Sequence, residues 1–333
     1  MNSPKLPNKV SPFKIGIVIQ GPIKSVGVTG ESASQVEFNS SQYILSQYKL
    51  ARSLNCEAVV STWRIEDVSQ LITIPSQDIL KLDEYKHRFG NSFNNPDFSG
   101  KNKFRQFYSS LKGTEKLVVR GCNFIVKIRT DQLIDLSLLI QYINSCHCDL
   151  IEEKIFLPFL DPTKPNYVDD FYFCGMATAM LDFSREFLSS REIHQNVHRD
   201  IFYKWVRFRN HNRGKRSQFT QYYPKINSMT KSQFDLIEYG WKECFGALPS
   251  EVWSTLQWRG YNFGFFDSPR KEGVRFSDSL STLSFDDFCQ KFKEAPWQFK
   301  LDTISILTYF FSSRVENFVR RVRDKILKEI RRV

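Results

Sequence analysis

Lys14-Ile-Gly-Ile-Val-Ile-Gln20, closed by Gly21-Pro22, is the stretch that decides the fold. It is short, β-branched and apolar on both of its alternating faces, and it ends in a turn dipeptide. Such a strand is buried on both sides, as in parallel sheets covered by helices.

The pattern repeats downstream. Ser40 to Ser53 carries Tyr43, Ile44, Gln47, Tyr48 and Leu50 at helical spacing. Cys56-Glu-Ala-Val-Val-Ser-Thr-Trp63 predicts a second strand and Gln77-Asp-Ile-Leu-Lys-Leu82 a third. A polar loop spans Gly90 to Gly100, and a helix is predicted over Lys101 to Lys112. Asn123-Phe-Ile-Val-Lys-Ile-Arg-Thr130 reads as a fourth strand that ends at Asp131. Lys154 to Leu160 is a further strand, and Thr178 to Arg185 turns helical after Tyr167 to Gly175. Strands alternating with helices predict an α/β fold with a mainly parallel twisted sheet flanked by helices. Ligands of such sheets gather beyond the carboxyl ends of the strands, where Gln20, Gly21, Thr62 and Asp131 fall. Beyond Asn210 the pattern weakens, and no internal repeat is present.

The chain has 333 residues, with 47 basic and 36 acidic side chains and a net charge of +11. Arg199 to Arg216 holds seven basic residues and one acid, and Arg314 to Val333 holds eight and three, so these two segments account for the whole excess. The body is neutral, which disfavours a general nucleic-acid binder, and the patches point to anionic partners. The 30 Phe residues are spaced for cores rather than for stacking bases.

Residues 1–13 read as a tail without the apolar stretch of a signal peptide, and no window is long enough to span a bilayer. A cytoplasmic location is therefore expected, on the inner face of the membrane if the end of the chain binds it. That end, 301–333, places Val315, Phe318, Val319, Val322, Ile326, Leu327 and Ile330 at three and four spacing among Arg and Lys. It is expected to be a basic amphipathic helix contacting an anionic membrane peripherally, or a helix packed on the domain with its basic face in solvent. Residues 14–300 form the expected main domain. Seven cysteines at irregular spacing suit reduced thiols. Cys146-His147-Cys148 lacks a second ligand pair at zinc spacing, and His194 and His198 lack the Glu of a metalloprotease pattern.

Three constellations carry chemistry. In Lys127-Ile-Arg129-Thr-Asp131, strand alternation points Lys127, Arg129 and Asp131 the same way. A carboxylate beside two cations suits a divalent metal or a sugar hydroxyl, the cations suit a diphosphate, and a plain salt bridge at a strand end is the alternative. In Asp169-Asp170-Phe-Tyr-Phe-Cys-Gly175, adjacent carboxylates repel, and one is a candidate general base or acceptor ligand; a cap or turn is the alternative. Lys101-Asn-Lys-Phe-Arg105-Gln106 opens a helix with cations able to meet phosphate.

The segments Ile17-Val-Ile-Gln-Gly-Pro-Ile23, Ser61-Thr-Trp63, Asn102 with Arg105-Gln106, Lys127-Ile-Arg-Thr-Asp131 and Asp170-Phe-Tyr-Phe-Cys-Gly175 together resemble the WavE lipopolysaccharide synthesis family, in order over about half of the chain. The resemblance implies a GT-A-like glycosyltransferase that builds bacterial surface polysaccharide, with a nucleotide-sugar donor and a lipid-linked saccharide acceptor. Family members often carry Ser where this chain has Asp169, which favours Asp170 as the carried-over residue. GT-A metal motifs place acids at both ends of a three-residue window; here Arg129 takes the first place. Asp131 with substrate phosphates is then the expected Mg²⁺ or Mn²⁺ site, the alternative being charge neutralisation by Lys127 and Arg129 without metal.

The expected donor site is Gln20, Gly21, Thr62, Arg105, Lys127, Arg129 and Asp131. The expected catalytic residues are Asp170, then Asp169, with Glu251 of Pro249-Ser-Glu-Val-Trp253 a further candidate base. The segment 199–216 is a candidate acceptor surface. Two other functions fit less of the chain. A polysaccharide phosphotransferase would use the same residues, but no glycine-rich phosphate loop is present. An RNA-binding or scaffold protein would use Tyr203, Trp205 and Phe208 among Arg207 and Arg209.

Overall fold

A computed structural model describes residues 13–28, 35–84, 101–145, 153–158, 168, 170–189, 197–212, 236–237 and 239–262. The expected membrane helix 301–333, Cys146 to Cys148, His194 and Asp169 lie outside these residues, as do positions 213–216 of the first basic patch.

The opening stretch forms β1 (Ile15–Gln20), buried along its whole length. It is an interior strand of a seven-stranded sheet. On one side it pairs in parallel with β4 (Glu57–Trp63), which pairs in parallel with β5 (Ile79–Leu82). On the other side it pairs in parallel with β6 (Phe124–Arg129). Antiparallel β9 (Phe173–Met176) follows, then β8 (Ile155–Leu157) and β10 (Phe245–Ala247). The fold is thus mixed α/β with a mainly parallel sheet, as the sequence leads one to expect. Of the segment expected as a strand over Lys154 to Leu160, residues 155–157 pair in the sheet, and 159–160 lie outside the described residues. Two small additions flank the sheet: a hairpin of β2 (Lys24–Val28) and β3 (Gln35–Asn39), and a three-stranded piece of β7 (Gln132–Leu133), β11 (Gln257–Trp258) and β12 (Tyr261–Asn262).

Helices cover both faces because each strand is apolar on both. Ile15, Ile17 and Ile19 of β1, with Ala58 and Val60 of β4, pack toward α1 (Ser41–Ser53), α3 (Leu136–Ser145) and the short α6 (Ser250–Trp253). Val18 and Val59 pack on the other face, toward α2 (Lys101–Val119), α4 (Ala177–Ser189) and α5 (Val197–Asn212). Phenylalanines fill that second core: Phe107 stacks on Phe187 at 4.0 Å, and Phe183 meets Phe107, Phe173 and Trp205 edge-on. Edge and offset contacts of this kind add to the burial of the rings.

Trp205 is fully inside this core and donates its indole N–H to the Cys244 carbonyl at 3.1 Å. That removes it from the aromatic set on which an RNA-stacking surface was read. The four cysteines among the described residues, Cys56, Cys122, Cys174 and Cys244, are buried thiols. Among the described residues no helix is long and apolar enough to cross a membrane.

Candidate active site

Side-chain alternation decides which residues meet at the carboxyl ends of the parallel strands. Gln20, Ser61, Trp63, Lys127 and Arg129 follow Val18, Val59 and Ile125 onto the face covered by α2. There Ser109 of α2 donates to the buried Gln20 Oε1 at 2.6 Å, and Ser61 Oγ donates to the Ser109 carbonyl at 2.8 Å. Gln106, one turn earlier, donates to the Asp170 carbonyl at 2.9 Å. The start of α2 is thereby fixed over the strand ends. Thr62 falls on the opposite face with Ala58 and Val60, and its buried Oγ1 finds no partner among the described residues.

Strand β6 ends at Arg129, and a turn through Thr130 brings Asp131 round to it. The turn is locked from β1: Thr130 donates its N–H to the Gln20 carbonyl at 3.0 Å and its hydroxyl to the Pro22 carbonyl at 2.6 Å. Gly21 sits against it at φ +133°, and a Cβ there would lie 2.8 Å from Thr130 Oγ1. An L side chain rarely adopts that backbone, so Gly is required twice over.

Arg129 grips Asp131 bidentately, Nε to Oδ1 and Nη2 to Oδ2, both at 3.0 Å. The carboxylate also accepts from Trp258 Nε1 at 3.0 Å and Arg259 Nε at 2.9 Å. Nothing in the local sequence announces these last two partners. They arrive through β7, whose Gln132 pairs with Trp258. Arg259 and Gly260 are the two turn residues between β11 and β12, with φ of +51° and +90°. Positive φ at both positions is the type I′ signature of a two-residue hairpin. Arg259 also donates its backbone N–H to the Asp131 carbonyl at 3.0 Å. Asp135 Oδ1 caps α3 by accepting from Ser137 and Leu138, and the Asp135 N–H reaches Thr255 Oγ1 at 3.1 Å, which anchors the same segment. Burial would raise the Asp131 pKa, but the charge and hydrogen bonds of Arg129 and the charge of Arg259 outweigh it and hold it at about 2.

Lys127 is fully buried, and its ammonium donates to the carbonyls of Asp170 at 3.0 Å and Phe171 at 3.3 Å, over the Phe173 ring. Lys127, expected at the donor phosphates, is held against the Asp170 segment by these two carbonyls. Burial would raise the Asp170 pKa as well, yet the charges of His198, Arg129 and Lys127 lower it overall, against a smaller push from Asp131. His198 at the start of α5 is held by Nδ1, which donates to the Val168 carbonyl at 2.9 Å. Sequence spacing tied His198 only to His194; the fold ties it to Asp170.

The remaining expected residues stand apart from this cluster. Arg105 forms a two-pronged ion pair with Glu84 just past β5 and stacks over Trp63 at 5.4 Å. Glu251 is exposed in α6, with no ion pair to the cluster. In α5, Arg209 pairs with Glu153 and lies over Trp205, while Lys204 lies over Phe187, so part of the basic patch is packing.

The expected Mg²⁺ or Mn²⁺ site at Asp131 does not fit these residues. Both carboxylate oxygens already accept N–H donors, and two guanidinium charges stand within hydrogen-bond distance. A divalent cation wants several oxygen ligands and few positive neighbours. Among the described residues no cluster of three His, Cys, Asp or Glu side chains could hold a metal.

No protein-family model matches the chain, and no curated protein matches it. The resemblance to the WavE family therefore stands on its five motifs alone. Among solved structures, the chain is similar to 4-diphosphocytidyl-2C-methyl-D-erythritol synthase from Anaerococcus prevotii, with a TM-score of 0.33 and 12% identity, covering 57% of this chain and 81% of that one. It is similar also to mannose-1-phosphate geranyltransferase from Thermus thermophilus, with a TM-score of 0.32 and 10% identity, covering 56% and 67%.

Proposed function

We propose that the protein is a glycosyltransferase that moves a sugar from a nucleotide-sugar donor to a lipopolysaccharide or other surface-polysaccharide acceptor. The observation that carries this reading is the meeting of Arg129, Asp131, Arg259, Lys127 and Asp170 at the carboxyl ends of the parallel strands. Among the described residues three fixed positive charges stand there beside two carboxylates, and cations held at strand ends suit an anionic ligand.

In the proposed reaction the bond between the sugar C1 and the donor diphosphate breaks, and its electron pair goes to the phosphate oxygen. The acceptor hydroxyl oxygen bonds C1 and gives up its proton. In an inverting transfer a carboxylate takes that proton, and Asp170, kept ionised by its cationic neighbours, is the residue assigned to it. Arg129 and Arg259 stabilise the charge that develops on the diphosphate. Gln20, Gly21 and the Arg105–Trp63 pair border the same edge and are assigned to the rest of the donor. The acceptor is assigned to the basic side of α5 and the membrane to the basic C-terminal segment.

Incubating the protein with a panel of nucleotide sugars and scoring free nucleoside diphosphate tests the reading. Donor-selective release that Arg129→Ala abolishes supports it; no release from any donor, with or without a saccharide acceptor, overturns it.

A further inference from the structure

We propose that the site binds the donor diphosphate through its arginine pair, with no divalent cation between protein and phosphate. The inference rests on the nucleotide-sugar reading above.

The charges around Asp131 decide it. Asp131, the one carboxylate of the expected metal motif, is already neutralised. Its Oδ1 accepts from Arg129, and its Oδ2 accepts from Arg129, Trp258 and Arg259. To bind there, a dication would have to displace these donors and sit between two guanidinium groups. Asp170, the second carboxylate, lies in the field of His198, Arg129 and Lys127. Each carboxylate described at this edge is therefore matched by protein cations. Among the described residues, Lys127, Arg129 and Arg259 stand at this edge with Asp131 and Asp170. Such surroundings disfavour a further cation.

The backbone supports the same conclusion. Arg259 occupies a left-handed conformation, φ +51°, at a turn position where Gly or Asn is the ordinary choice. Keeping a bulky side chain there is unfavourable, and such strain persists where the residue is needed. What the turn delivers is a guanidinium, 9% exposed, held against Asp131. Arg129, 25% exposed, is the more open member of the pair and fronts the solvent at the strand ends. Asp131 thus acts as an internal counter-ion that aims two planar donor groups before the ligand arrives. Guanidinium geometry matches paired phosphate oxygens, and pre-aimed donors bear the role that a bridging metal would otherwise have.

The test is calorimetric binding of UDP, GDP, CDP and ADP to the full chain, once in excess EDTA and once in excess MgCl₂ or MnCl₂. The expected result is that one nucleotide binds with the same affinity in EDTA as with metal. Arg259→Gln is expected to weaken that binding by about 10- to 100-fold, the effect of losing one charge-assisted contact. Binding that appears only with Mg²⁺ or Mn²⁺ overturns the metal-free site and leaves the transferase reading standing. If none of the four binds under either condition, both fall. The wild-type comparison needs no variant, so a poorly folding Arg259→Gln does not blunt it.

Discussion

Arg259 places its guanidinium Nε 2.9 Å from Asp131 Oδ2 across a separation of 128 positions in the chain. The Arg259 backbone N–H holds the Asp131 carbonyl at the same time. A loop carboxylate at a strand end is thereby fixed from both its main chain and its side chain. The hairpin that does this lies outside the seven-stranded sheet, in the three-stranded piece it forms with β7.

The strain at Arg259 gives a first prediction. Arg259→Ala removes the ion pair but keeps a Cβ at φ +51°, whereas Arg259→Gly removes the pair and releases the conformational cost of about 1–2 kcal/mol. Glycine gives back roughly 0.5–1 kcal/mol through its looser unfolded chain. Both variants are expected to be less stable than wild type by about 1–3 kcal/mol, the worth of a hydrogen bond to a charged group. The Gly variant should lie above the Ala variant by about 0.5–1 kcal/mol in urea unfolding. An Ala variant equal to or better than Gly would show that the turn is not held in this conformation.

Asp131 contributes to the acid stability of the fold. Its pKa is lowered from 3.8 to about 2, so the ionised form is favoured in the folded state. A depressed folded pKa contributes stability that is present above the unfolded value, near 4, and is lost as the pH falls through 2. The shift corresponds to about 2 kcal/mol. Asp131→Asn removes the titration and keeps one acceptor oxygen. Between pH 6 and pH 2 the wild type is expected to lose about 2 kcal/mol more than this variant in urea melts. Parallel losses would mean that Asp131 is not charge-coupled to the arginines. Asp131→Ala is the poorer probe, since it leaves two guanidinium groups facing each other in a buried place.

The fold was legible because its signal is local. Ile15 to Gln20, Glu57 to Trp63 and Phe124 to Arg129 are apolar runs whose burial needs no knowledge of distant partners. Half of the site was legible for the same reason, since Arg129 and Asp131 are two residues apart. What was hidden is non-local. Trp258 and Arg259 reach Asp131 only through the β7–β11 pairing of two-residue strands, too short to leave a periodic trace. The case against a metal at Asp131 is partly hidden for that reason: Arg129 is visible beside the motif, and the second guanidinium on the carboxylate comes from the hairpin. Lys127 misled in another way. Alternation gives its face, but the carbonyls of Asp170 and Phe171 that hold it come from the segment just before the antiparallel β9.

Gly21 offers a test of how the site is positioned. Gly21→Ala must adopt φ +133° and pushes a Cβ to 2.8 Å from Thr130 Oγ1, displacing the hydroxyl from the Pro22 carbonyl. The expected cost is about 1–3 kcal/mol. Because Thr130 lies between Arg129 and Asp131, nucleotide binding should weaken together with stability. Adding Thr130→Ala relieves the contact but not the backbone strain, so the double variant should recover only part of the loss, and the two changes should be non-additive. Full additivity in thermal melts would show that Gly21 and Thr130 do not touch.

Lys127→Met separates positioning from charge. Methionine fills the space of the lysine stem, so the packing against Phe173 is largely kept. The Asp170 carbonyl retains Gln106 as donor, while the Phe171 carbonyl loses the Lys127 ammonium at 3.3 Å. Losing that partner costs about 1–3 kcal/mol, but a buried charge and its desolvation disappear as well, so the net change in stability is expected to stay within about 2 kcal/mol. Activity should respond differently. Lys127 is one of the three charges that lower the Asp170 pKa, and removing it lets burial push that pKa upward. If Asp170 takes the acceptor proton, it must be ionised to do so, and the acid limb of the pH–rate profile should move to higher pH in the variant. Lys127→Arg, which keeps the charge in a larger group, should leave the limb near its wild-type position while lowering kcat through misfit. A folded Lys127→Met protein with an unmoved acid limb would remove Asp170 from the role of base and leave Lys127 a purely structural residue.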